Sequence, residues 1–279
     1  MSTTTAALPE EVRSLDAGAT LIETACGAGR MVWRRWGSGP PLVLLHGGYG
    51  SWMHWVRNIP IFMGQRTVYA PDLPGLGDSD EAPEPGAPAD IAEVVVNGIA
   101  ALGLDAAETD LVGFSFGSAI GGHVSTRLAL RSLTLVGPGA LGLPSRAIVL
   151  EREMPEMDDD GRHAMHRRNL ALLMIADTGR IDPLAVAIQA SNVPKARVKS
   201  RRFARTDTLA QAMRRSRTGK RHWIWGERDQ VVGEHLDTRL AFVAEHHPDA
   251  TIDIVAGAGH WVSYEASNAF NALLVSRLS

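Results

Sequence analysis

Cysteine is almost missing from this chain of 279 residues. Its single copy, Cys26, excludes an internal disulfide, so the fold has no need of an oxidising compartment. Charge of neither sign is in excess, and a formal net charge of −3 gives no reason to expect a nucleic-acid partner. No apolar run approaches the ~18 residues of a membrane span. The opening stretch MSTTTAALPEEVRSLD has neither the basic region nor the apolar region of a secretion signal. These absences imply a soluble, cytoplasmic protein with no membrane partner. Internal repeats are lacking too, and the one biased tract is a Pro/Gly/Ala-rich turn at 82–89. With 45% hydrophobic residues the chain can bury a sizeable core, which favours one α/β domain with an insertion over two equal domains.

What is present is a rhythm. TLIETA and RMVWRRW alternate as the two strands of a hairpin, while PLVLLHGG is a continuous apolar run that stops at glycines, as a buried strand does. A helix pattern around SWMHWVRNIPIFM follows, then a strand in RTVYA, a loop, a helix from about 91 to 102 and the strand DLVGF. This alternation predicts a mostly parallel sheet with helices on both faces, whose functional groups gather at the carboxyl ends of the strands. After the sixth strand, RSLTLVGPGA, strand signals do not return until RHWIWGERD. Helical patterns fill the gap, so 143–217 reads as a helical cap that divides a core domain into 1–142 and 218–279. A helix over about 235–247, the strand ATIDIVAG and a last helix over about 263–278 close the fold.

One serine interrupts the apolar run LVGFSFGSAIGGH, 111–123. Gly113 and Gly117 flank Ser115 at two-residue spacing where a strand pattern becomes a helix pattern. That is the G-x-S-x-G elbow, in which a sharp turn projects the hydroxyl. Taken alone, the same serine could simply cap a helix. A nucleophilic hydroxyl also needs a base and an acid to orient that base. His260, in the loop GAGHW, is the candidate base, and Asp229, in WGERDQVV, is the candidate orienting acid; both follow strands that end on the edge carrying Ser115. The order Ser, Asp, His is the one this architecture uses. His163, His166, His246 and His247 lie on helical stretches and read as surface residues. LLHGGYGSW supplies small residues with free backbone N–H groups, so the N–H groups of Gly48 and Phe116 are the candidate oxyanion donors. No G-K-[ST] follows these glycines, which argues against a phosphate cradle. No metal and no cofactor are called for.

HGG, DLPGLGDSD, GFSFG, WGERD and GAGHW, spread over 46–261, resemble the α/β-hydrolase superfamily. The resemblance implies an α/β-hydrolase fold with a helical cap after the sixth strand and a Ser115–His260–Asp229 triad. Serine at the nucleophile position separates the chain from haloalkane dehalogenases and epoxide hydrolases, which carry aspartate there. Trp261, directly after the histidine, and the single cap resemble the hydrolases that cleave carbon–carbon bonds of ring meta-cleavage products. The chain departs from that group at Phe114, where they carry asparagine, and in HGGYGS, which lacks their G-P-G segment. The cap segment KARVKSRRFAR has no acid. On a helix Arg197 and Arg201 would share a face, either as a clamp for a substrate carboxylate or as a solvated basic face.

The expected activity is therefore cleavage of an ester, or of a carbon–carbon bond in a keto acid, by a serine hydrolase. A receptor-like protein that binds a ligand with little turnover, and cofactor-free oxygen or peracid chemistry on the same triad, fit the same residues. The expected partner is a small molecule with an apolar or aromatic part, beside Gly47, Phe114 and Trp261, with Trp52, Trp55, Phe62 and Phe116 as further aromatic candidates. Self-association is left open.

Overall fold

The computed structural model describes residues 8–82 and 86–279. Residues 1–7 of the opening stretch and 83–85 of the turn at 82–89 lie outside them. Eight strands, β1 (Thr20–Cys26), β2 (Gly29–Trp36), β3 (Pro41–Leu45), β4 (Thr67–Pro71), β5 (Asp110–Phe114), β6 (Ser132–Val136), β7 (Lys220–Gly226) and β8 (Thr251–Val255), form one sheet. Their order is β1-β2-β4-β3-β5-β6-β7-β8. The hairpin β1–β2 is antiparallel and joins β4 antiparallel, whereas every pairing from β4 to β8 is parallel. Parallel strands buried on both faces need continuous apolar runs, and β5 and β6 are buried at every residue. Helices pack on the two faces over two apolar clusters, one around Trp55, Phe114, Trp261 and Phe270, the other around Trp33, Leu111, Leu133 and Trp223. Because β3 and β5 to β8 run parallel, the loops after them emerge on one edge.

The structure differs from the sequence reading in three places. The stretch 51–63 is not one helix but a single turn, Trp52–Trp55, and a short helix, Ile59–Phe62. Pro60 has no N–H and fits only in a first turn, so it starts a second element instead of extending the first. The last helix breaks at Ala266 into Val262–Glu265 and Ser267–Arg277. The basic segment is not a helix either: Val193–Lys195 and Ser200–Phe203 are separate turns, and Arg197 lies between them. Arg197 and Arg201 therefore share no helical face.

Between β6 and β7 the chain forms the helices Asp159–Leu173, Pro183–Asn192 and Thr208–Met213 with no strand among its residues. This insert docks on the sheet edge through backbone hydrogen bonds, among them Trp261 N–H to the Met174 carbonyl at 2.7 Å and Ala140 N–H to the Ala204 carbonyl at 2.9 Å.

Candidate active site

β5 ends at Phe114 and the helix Phe116–Ser125 begins two residues later, so Ser115 alone makes the turn. Its φ of 52° and ψ of −108° are unfavourable for a residue with a side chain. The flanking glycines let the helix come close enough to impose them. A Cβ on Gly113 would lie 2.4 Å from the Gly117 carbonyl oxygen, and one on Gly117 would lie 2.4 Å from that of Leu45. The Ser115 N–H is tied to the Val136 carbonyl at 2.8 Å, which leaves the half-buried hydroxyl pointing off the sheet edge.

The loop after β8 carries His260 and the loop after β7 carries Asp229, each 3% exposed. Ser115 Oγ lies 2.9 Å from His260 Nε2, and His260 Nδ1 lies 2.8 Å from Asp229 Oδ2. With Nδ1–H donated to the carboxylate, Nε2 is left as the acceptor of the serine proton. Asp229 Oδ1 accepts the N–H groups of Val231 at 2.8 Å and Val232 at 3.2 Å, so its carboxylate is fixed from both sides. An arrangement of this kind can deprotonate the hydroxyl and stabilise the imidazolium that results.

Two histidines that the sequence reading did not single out fix the loop after β3. His46 Nδ1 donates to the Gly47 carbonyl and its Nε2 accepts the Leu73 N–H, each at 2.8 Å. Burial pushes the His46 imidazole down to about 4, so it stays neutral and keeps both roles. A trans peptide aims its N–H opposite to its carbonyl, so holding the Gly47 oxygen also sets the direction of the Gly48 N–H. His54 Nδ1 accepts the Gly47 N–H at 3.2 Å, and its ring packs on Trp261 and Phe114 at centroid distances of 4.9 and 5.6 Å. Burial first, then the neighbouring His46 and His260, hold the His54 imidazole well below its ordinary range. The Phe116 N–H is the first of its helix and has no acceptor within it. Motif length hid these histidines: one looks like part of HGG, the other like part of an amphipathic pattern.

Phe114 and Trp261 are fully buried behind the serine and histidine loops, with the Phe114 ring 5.2 Å from that of His260. Trp52, Trp55 and Phe62 belong to the core. Of the histidines read as surface residues, His163 and His246 are exposed, but His166 and His247 are 4% exposed: His166 lies on the inner side of its helix, and His247, just past the end of the helix Leu236–His246, stacks on Trp223 at 5.6 Å. Arg197 pairs with Glu81 at 2.8 Å and lines a surface cavity of about 630 Å³ with Cys26 and Asp78; none of Ser115, Asp229 and His260 lines it. Arg201 donates to the Ile148 carbonyl at 2.6 Å. Glu265, also missed, accepts the N–H groups of Ala176, Asp177 and Gly259 at 3.0, 2.7 and 2.7 Å, clamping the His260 loop to the insert. Among the described residues no group of three or more His, Cys, Asp and Glu side chains is arranged to hold a metal ion, and no helix is long and apolar enough to cross a membrane.

Known proteins resemble this chain along most of its length. It is 27% identical over 266 residues to a 2-hydroxy-6-oxo-6-phenylhexa-2,4-dienoate hydrolase of Burkholderia cepacia, covering 87% of this chain and 89% of that protein. It is 27% identical over 261 residues to a dihydrolipoyllysine-residue acetyltransferase component of an acetoin cleaving system from Pseudomonas putida, covering 86% of this chain but only 64% of that protein's length. Among solved structures, naproxen esterase from Bacillus subtilis superposes with a TM-score of 0.75 at 18% identity, covering 97% of this chain and 96% of the esterase, a likeness of fold. The model of the alpha/beta hydrolase family matches residues 42–273, and the chain belongs to that family.

Proposed function

We propose that the protein is a serine hydrolase that cleaves a small, partly apolar ester. The observation that carries this reading is the continuous line from Ser115 Oγ to His260 Nε2 at 2.9 Å and from His260 Nδ1 to Asp229 at 2.8 Å, at the carboxyl edge of a parallel sheet. In the first half-reaction Ser115 Oγ bonds to the carbonyl carbon while its proton passes to His260 Nε2. The N–H groups of Gly48 and Phe116 hold the carbonyl oxygen as it becomes an oxyanion. The tetrahedral adduct collapses, the carbon–oxygen bond to the alcohol breaks, and His260 returns the proton to the departing oxygen. Water then attacks the acyl-Ser115 ester with His260 as base, releasing the acid and restoring the serine. Asp229 holds the imidazole in place throughout. No step requires a cofactor. In this reading 143–217 is the cap, and it closes over the substrate.

A second substrate class, the carbon–carbon bond of a dienoic keto acid, is favoured by the name of the Burkholderia cepacia relative and by Trp261 after the histidine. The two are separated by offering p-nitrophenyl esters and a 2-hydroxy-6-oxodienoate to the wild type and to Ser115→Ala. The proposal predicts ester turnover that falls by several orders of magnitude in the variant, because triad members act as a unit. Turnover of the keto acid alone selects the second class. Wild-type rates in Ser115→Ala overturn both. Ligand uptake with no turnover of either substrate would favour a receptor, and oxygen consumption would favour oxygen chemistry.

A further inference from the structure

The insert brings one hydroxyl against the loop residue Gly48. Ser200 opens the turn Ser200–Phe203 and is 4% exposed. A Cβ on Gly48 would fall 2.1 Å from Ser200 Oγ, 2.9 Å from Ser200 Cβ and 3.6 Å from Phe116 Cβ. The hydroxyl thus lies against the Cα of Gly48, whose N–H is one proposed oxyanion donor, and Gly48 in turn faces Phe116, which supplies the other. The same crowding explains glycine at 48: any side chain there would displace Ser200.

The turn is held rigidly in this position. The Phe203 ring stacks on that of Phe116 at 6.2 Å. The Ala140 and Gly142 N–H groups donate to the Ala204 and Thr206 carbonyls at 2.9 and 2.8 Å, and on the other side the Arg197 N–H donates to the Gly75 carbonyl at 2.9 Å. None of these contacts uses Ser200 Oγ. A hydroxyl on a buried residue, packed against Gly48, whose N–H is a proposed oxyanion donor, has the properties of a preorganised donor.

Resting on the serine-hydrolase reading, we infer that Ser200 Oγ–H is a third donor to the oxyanion, contributed by the insert, so that docking of this turn completes the site. The hydroxyl donates to the substrate carbonyl oxygen and strengthens that bond as negative charge accumulates; no proton is transferred.

The test measures kcat and KM for p-nitrophenyl butyrate, and the inhibition constant of phenylboronic acid as a tetrahedral mimic, in the wild type, Ser200→Ala, Ser200→Cys and Ser115→Ala, with thermal melts confirming that each is folded. Removal of one oxyanion donor predicts a loss of roughly 10²-fold in kcat for Ser200→Ala, with KM nearly unchanged and boronate binding weakened in parallel. Ser200→Cys, a similar shape with a weaker donor, falls between. If Ser200→Ala keeps wild-type kcat and boronate binding while Ser115→Ala is inactive, the third donor is refuted and the hydrolase stands. If Ser115→Ala remains active, the hydrolase reading falls and this inference with it.

Discussion

Asp229 shows how much a single residue carries. Its two oxygens are divided between the His260 ring and the backbone N–H groups of Val231 and Val232, so the carboxylate cannot turn away from the imidazole. Asp229→Asn keeps the shape but loses the charge that favours imidazolium. Turnover should fall by roughly 10⁴-fold with little change in melting temperature, measurable as kcat beside a thermal melt. A mild loss would assign the acid role to another carboxylate. His54 acts at one remove. It accepts the Gly47 N–H and supports Phe114 and Trp261, the chain neighbours of Ser115 and His260. His54→Phe fills the space without the acceptor, so kcat should drop roughly 10-fold or more with KM steady, since small displacements of a site are costly in rate. A change confined to KM would remove it from a positioning role.

Elements set the limits within which these residues work. The helix Phe116–Ser125 approaches the end of β3 so closely that a methyl group at 117 would collide with two backbone carbonyls, those of Leu45 and His46, neither of which can rotate aside. Gly117→Ala should cost about 1–3 kcal/mol in denaturant unfolding, and a neutral result would mean that the elbow can open enough to take a methyl group. Glu265 makes the complementary point for the insert: Glu265→Ala leaves the buried Gly259 N–H and the half-buried N–H groups of Ala176 and Asp177 without their carboxylate and should cost about 1–3 kcal/mol. Elements were legible in the sequence where a local rule governs them. Alternation marked the hairpin β1–β2, an apolar run ending in glycine marked β3, and the glycine spacing together with the order Ser, Asp, His marked the elbow. The basic segment was not legible, because its course is set by contacts with Gly75, Ser79 and Glu81 from distant parts of the chain instead of by helical propensity. Ser200 and Glu265 were hidden for the same reason: each touches a partner far away in sequence, Gly48 and Ala176 respectively.

The whole molecule carries a pH dependence in its buried histidines. His46, His123 and His247 are each pushed down to about 4, mainly by burial. The unfolded chain, with histidines near their usual 6.5, binds more protons than the folded one between these values, so stability rises with pH across that window. The contribution is fully present above about 6.5 and is lost as pH falls toward 4. For His46, which is fully buried, it amounts to about 3 kcal/mol. Urea unfolding at pH 7.5 and pH 5 should give a clearly lower free energy at the acid end, and equal values would show that these rings are solvated in the folded state.

The proposed hydrolysis stands or falls on Ser115 as the nucleophile. Its most direct test is to treat the folded protein with a fluorophosphonate and locate the adduct by peptide mass spectrometry, with Ser115→Ala and Asp229→Asn in parallel. A nucleophilic Ser115 gives one adduct on the peptide containing it, none in Ser115→Ala, and much slower labelling in Asp229→Asn. Labelling of a different residue, or a wild type that stays unlabelled while it still hydrolyses esters, would contradict it.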